Sequence, residues 1–111
     1  MRPLASTLRA NYRYVAFTIS CPVAVRSKEL QTAIVKAARR LLGDVGVSTL
    51  GVRIVLFDGK RGLLRCDYRY VNEAQAVCAS LGKIRNNQLC VATLGTSGTI
   101  KAATEKYLQI E

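Results

Sequence analysis

Histidine is absent from this 111-residue chain. The commonest general base is therefore missing, and with no two cysteines within four residues of each other finger-like zinc spacing is excluded as well. Acidic residues are few, seven in all. No two of them stand at a helix or strand spacing that would make a working pair of carboxylates. Asp58 reads as a turn residue and Asp67, between Arg65 and Arg69, as a local charge balancer. No phosphate-cradling Walker loop and no dinucleotide fingerprint occurs. Catalysis by this chain alone is disfavoured, and no catalytic residue is assigned. The four cysteines, at 21, 66, 78 and 90, are all more than four residues apart. They read as small buried thiols in a reducing compartment rather than as disulfides or metal ligands. No apolar run approaches the ~20 residues of a membrane span, and "MRPLASTLRANYRY" holds no apolar signal region. The expectation is a cytoplasmic protein with no membrane partner.

Aromatic residues are also scarce, five Tyr and two Phe. What is plentiful is positive charge: 17 Lys and Arg, eleven of them Arg, for a formal net charge of +10. Arginine suits bidentate phosphate contact, and this balance points to a polyanionic partner, nucleic acid above all. Half the residues are apolar, which supports one folded core rather than a disordered basic tail.

Residues 1–11 read as a basic extended arm, and 12–111 as a single domain. Alternation in "RYVAFTI" (13–19) puts Val15, Phe17 and Ile19 on one side of a strand. Ser27 reads as the cap of a helix over 28–43, with Leu30, Ile34, Ala37, Ala38 and Leu41 as its apolar face and Gly43 as its end. "DVGVSTLG" reads as a loop. "VRIVLF" (52–57) forms a second strand with Val52, Ile54 and Leu56 on one face. "DGKRG" is a hairpin turn, Asp-Gly being the strong signal. In the third strand, 63–69, Leu64, Cys66 and Tyr68 share a face. Asn72 and Gln75 resemble a capping box for a helix over 73–82. "GKIRNN" reads as a basic turn, "QLCVATL" (88–94) as a fourth strand, and 99–109 as a last helix packing through Ile100, Ala103, Tyr107 and Leu108. The order β-α-β-β-α-β predicts an α+β, ferredoxin-like (RRM-like) sandwich, with the extra C-terminal helix across the other sheet face or its edge.

RNA-recognition motifs of this order stack bases on third-strand aromatics. Here Tyr68 reads as core, so recognition through charge and backbone shape is expected instead. The candidate RNA contacts are Arg9 and Arg13 on the arm and first strand, Lys60 and Arg61 in the hairpin turn with Arg65 and Arg69 on the strand after it, and Lys83 and Arg85 in the later turn. A solvated surface charge is the alternative for each. The stretch "LGTSGTIKAATEKY" (94–107) adds Ser97, Thr99 and Lys101: backbone N–H groups at a helix start make an anion seat, and Lys101 in the first turn is unfavourable unless an anion is near. A plain Ser/Thr cap with Gly98 allowing the bend explains the same residues.

"TLRANYRYVAF" (7–17), "LFDGKRGLLRC" (56–66) and "SGTIKAA" (97–103) together resemble the Pop-five family of ribonuclease P protein subunits, in its shorter, archaeal-type form. The resemblance runs over nearly the whole chain. The sister Rpp-fourteen branch shares the fold but lacks the "SGTI" form. The sequence departs from the pattern in Asn11-Tyr12, which makes the arm less basic, and in the lack of Arg before the "TSG" bend. The resemblance implies a non-catalytic, RNA-binding subunit of an enzyme whose RNA does the cutting. That RNA removes the 5′ leader of precursor tRNA and holds Mg²⁺, so no cofactor is expected on the protein and precursor tRNA is met only indirectly. It also implies contact with the RNA's catalytic domain and pairing with a TIM-barrel-like subunit (Rpp-thirty), as a hetero-oligomer of two-plus-two form. A generic small basic RNA-binding or ribosomal-type module of the same fold is the alternative.

Overall fold

Alternating apolar residues and a hairpin that turns at Asp58-Gly59 fold the chain into a four-stranded antiparallel sheet with a helical layer on each side, beside a small two-stranded hairpin. The computed structural model describes residues 11–108. Its elements are β1 (Tyr12–Ser20), α1 (Ser27–Leu50), β2 (Arg53–Phe57), β3 (Arg61–Asp67), a 3-10 turn (Tyr68–Tyr70), α2 (Val71–Ser80), β4 (Lys83–Ile84), β5 (Asn87–Gln88), β6 (Cys90–Ser97) and α3 (Ile100–Ala103), which runs on as a wider π-type turn to Leu108. The main sheet has the order β2-β3-β1-β6, and every neighbouring pair is antiparallel. β3 therefore lies between the parallel strands β1 and β2, and β1 between the parallel strands β3 and β6. These two interleaved split β-α-β units are the ferredoxin-like arrangement the sequence predicts.

α1 and α2 cover one face. Val15, Phe17 and Ile19 of β1, Leu64 and Cys66 of β3, Leu30, Ile34, Ala37 and Ala38 of α1, and Ala74, Val77 and Cys78 of α2 form the main core. Phe17 and Phe57 stack within it, ring centres 6.0 Å apart. Gln31 ties α1 to the sheet edge: its Nε2 donates to the Val52 carbonyl (3.2 Å) and its Oε1 accepts from the Ile54 N–H (2.8 Å). On the other face Ala103 of α3 meets Ala16 and Leu63, with Tyr14, Val55, Tyr107 and Leu108 packed around them. The C-terminal segment thus lies across the second sheet face.

Several expectations are corrected. α1 does not end at Gly43; that residue breaks it (φ 78°, ψ 176°), and a further helical segment runs to Leu50. Gly51, left-handed, is the real end, its N–H bonding the Val47 carbonyl at 3.1 Å. Leu50 is buried and Val47 half-buried against the core, and that burial makes a helix of the stretch read as a loop. The break leaves Leu41 outside, 51% exposed. Arg26, not Ser27, is the N-cap of α1, and Glu29 accepts from its N–H. A bulge between Ile54 and Leu56 moves Leu56 to the α3 side and lets Phe57 join the core. Asn72 is inside α2, whose N-cap is Tyr70 without a side-chain bond. "GKIRNN" is a hairpin, β4 against β5, with Arg85 and Asn86 both at positive φ (49° and 65°), the type I′ geometry. Gly95, Thr96 and Ser97 are strand residues of β6, paired with β1, and the helix after them is much shorter than 99–109. Tyr68 leaves the strand for the 3-10 turn and is 45% exposed, not core. Among the cysteines, Cys66 and Cys78 are buried as expected, whereas Cys21 is half-buried and Cys90 exposed.

Candidate nucleic-acid interface

Strand register builds the site. Ser97 of β6 pairs with Tyr14 of β1, Tyr14 with Arg65 of β3, and Arg65 with Arg53 of β2. Paired residues point to the same side, so these four form one row across all strands on the α3 face. At about 4.8 Å per strand the row is roughly 14 Å long. Two arginines stand directly opposed in it. Like charges so placed repel, and among the described residues no carboxylate lies within 4.0 Å of either, the ion pairs being Arg39–Asp44, Arg69–Asp67 and Arg85–Glu29. Arg65 lies over the Tyr12 ring, 4.3 Å from its centre. Its Nε is buried and has no hydrogen-bond partner. The ring holds the side chain in place, so a contact made by the rest of the guanidinium costs little ordering.

The rim of this end of the sheet carries Arg13, whose guanidinium stands 6.0 Å from the Tyr68 ring centre, and Arg69, which stands 5.8 Å from Tyr68 and 5.3 Å from Tyr70. Arg69 is held by Asp67 through two donor nitrogens, at 3.1 and 3.0 Å. Its side chain and backbone N–H keep the Asp67 carboxyl below the usual carboxylate range. Asp67 is the charge balancer of Arg69, not of Arg65.

The predicted residues are not all neighbours. Arg65 and Ser97 share the α3 face, and Thr99 and Lys101 follow directly from Ser97; Arg13, paired with Cys66 of the main core, points to the other face of the same sheet end, where Tyr68 stands between it and Arg69. Lys60 and Arg61 lie at the other end of β3, Arg61 roughly 13 Å along the strand from Arg65, where Asp58 accepts from both their backbone N–H groups (2.9 and 2.7 Å). Lys83 and Arg85 lie on the β4–β5 hairpin beside α1, and Arg85 bonds Glu29 and the Ala24 carbonyl. Arg9 is outside the described residues. At α3 the Thr99 hydroxyl already accepts from the Ala102 N–H (3.1 Å). The helix has only four residues, so it adds little dipole, and Lys101 is the exposed cation there. The reading of the sequence missed Arg53 and Tyr12. Their partners depend on strand register, and the bulge in β2 shifts that register.

Among the described residues no group of three or more potential metal ligands occurs, and no helix is long and apolar enough to cross a membrane. The buried thiols are chemically quiet: burial pushes Cys78 up to about 12 and Cys66 up to about 11.

Comparison with known proteins agrees with this architecture. A chain in the cryo-EM structure of yeast ribonuclease MRP has the same fold, with a TM-score of 0.68 over 82% of this chain and 76% of that one, at 14% identity. Ribonuclease P protein component 2 of Methanosarcina barkeri is 39% identical over 98% of this chain and 81% of its own length. The proteins of that name from Pyrococcus horikoshii and Archaeoglobus fulgidus are 32% and 30% identical, covering 97% and 99% of this chain and 92% and 100% of theirs. The model of the Rpp14/Pop5 family matches residues 13–108, and the chain belongs to that family.

Proposed function

We propose that this chain, a ribonuclease P protein subunit, works by offering the enzyme's RNA a fixed pair of unneutralised cations on the sheet rather than a catalytic side chain. The observation that carries this is the opposed pair Arg53 and Arg65, with no carboxylate within 4.0 Å of either among the described residues and the Arg65 guanidinium set on Tyr12. Between them a phosphate oxygen converts a repulsion into two charge-assisted contacts. Arg13, Arg69, Ser97 and Lys101 extend the contact along the backbone of the RNA's catalytic domain, with the arm residue Arg9 as a further contact. Precursor tRNA is then met indirectly, and Mg²⁺ belongs to the RNA. Placing positive charge near the RNA's metal sites lowers phosphate repulsion, and less Mg²⁺ is needed for the active form. A generic RNA-binding module is not favoured, because relatives matching nearly the whole chain bear one component name.

A barrel-like protein subunit, paired in a two-plus-two assembly, is the proposed protein partner. Support comes from the knee of α1, where Leu41, Leu42 and Val45 are 51, 39 and 81% exposed. Exposed apolar side chains so close together mark an interaction surface. The test is reconstitution with ribonuclease P RNA and the barrel partner at limiting Mg²⁺. The wild-type chain stimulates leader removal, and the double variant Arg53→Gln/Arg65→Gln needs more Mg²⁺ for the same rate. Equal stimulation by that variant would remove the row from the site.

A further inference from the structure

A second cationic surface lies on the other side of the sheet. Lys28, Lys36 and Arg40 are spaced by eight and four residues, which sets them on one face of α1 over roughly 18 Å. The β4–β5 hairpin runs beside this face and brings Lys83 to it. Two contiguous open grooves of about 460 and 450 Å³ lie between helix and hairpin and share Ala33, Lys36 and Lys83. Arg85 fastens the hairpin to α1 through Glu29 and the Ala24 carbonyl, so the wall is fixed rather than loose. Glu29, the one carboxylate lining the grooves, is occupied by that contact. Lys28, Lys36, Arg40 and Lys83 have no carboxylate within 4.0 Å among the described residues.

We propose that this groove is a second RNA contact, tracking a phosphodiester backbone, so that the subunit is held between two RNA segments, one on the Arg53–Arg65 row and one along α1. This rests on the ribonuclease P reading above. The floor is Ala33 and Gly82, which let a bulky backbone approach closely, while Leu81 and Ile84 are buried and offer no anchor. A protein partner needs desolvated anchor side chains in pockets. A phosphate backbone needs only long cations of one sign at repeated spacing.

The experiment compares Lys36→Gln/Arg40→Gln/Lys83→Gln with Arg53→Gln/Arg65→Gln, each checked for unchanged melting, on ribonuclease P RNA across 50 to 200 mM salt with hydroxyl-radical footprinting. The groove variant is expected to lose about 2 to 3 units of log–log salt slope and the protection of one RNA segment, while protection by the sheet row persists. Unchanged slope and footprint in the groove variant, beside a loss in the row variant, overturns the groove alone. The same RNA result with loss of a bound protein subunit overturns it in favour of an acidic protein partner. If neither variant changes binding, the assignment of the sheet row to RNA fails with it.

Discussion

Gly95 lies against the phenolic end of Tyr107: a Cβ added at Gly95 would collide with the Cζ, hydroxyl and Cε1 atoms of that ring, and the Tyr107 hydroxyl donates to the neighbouring Thr96 carbonyl at 3.5 Å. The Gly/Ser/Thr cluster therefore ends a strand and accepts the returning C-terminal segment, which closes over Ala16 and Leu63. Gly95→Ala is expected to cost about 1 to 3 kcal/mol by overpacking, a fall in melting temperature of roughly 4 to 8 °C per kcal/mol for a domain of this size. In Gly95→Ala/Tyr107→Ala the clash is gone, so the two losses should be strongly non-additive. Simple additivity in that cycle would show that the ring does not rest on Gly95.

Relief of a repulsion should separate stability from binding at the site. Arg53→Gln keeps the Arg65–Tyr12 stack and removes the like-charge pair. The free protein is expected to hold or gain stability, by up to about 1 kcal/mol, while the salt slope of RNA binding falls by about 0.9. Loss of stability together with unchanged RNA affinity would make the pair structural.

Thiol reactivity should divide the four cysteines. Cys90 is exposed and Cys21 half-buried, so a thiol reagent at pH 8 should modify these two in the folded protein. Cys66 and Cys78 should react only on unfolding. Their raised pKa values contribute stability that is fully present below the ordinary thiol value of 9.0 and is lost as pH climbs toward 11 and 12. Four fast thiols at pH 8 would mean that the core opens readily.

Acid should act first at two turns. Asp58 is held below its ordinary value by the Arg61 and then the Lys60 backbone N–H, and Asp67 by the Arg69 side chain and then its N–H. A lowered folded value contributes stability that is present above 3.8 and lost as pH falls below it. Asp58→Ala is expected to cost about 1 kcal/mol at pH 7 and to lessen the acid dependence of melting. An identical acid limb in the variant would place the proton uptake elsewhere.

The exposed knee predicts a separation of partners. Val45→Asp should leave melting within about 0.5 kcal/mol of the parent and RNA binding intact, while weakening association with the barrel-like subunit, as read by co-purification. Undiminished association would remove this surface from the interface.

The sequence by itself determined the charge, the absence of histidine, and the strand alternation and helix stripe that fold Val15, Phe17, Leu30, Ile34 and Val77 into one core. These are local properties, set by period and composition. Helix limits at glycines were only partly legible: Gly43 and Gly51 look alike in sequence, and the burial of Leu50 decides that the chain turns back into helix between them. The site needed the tertiary structure. Arg53, Arg65, Tyr14 and Ser97 come from four strands far apart in the chain, and only their pairing, shifted by bulges in β2 and beside Phe17, sets them in one row. The same pairing carries Lys60 and Arg61 to the other end of the sheet and leaves Lys83 facing α1. Register is a long-range property, and a single extra residue in a strand sends a side chain to the opposite face.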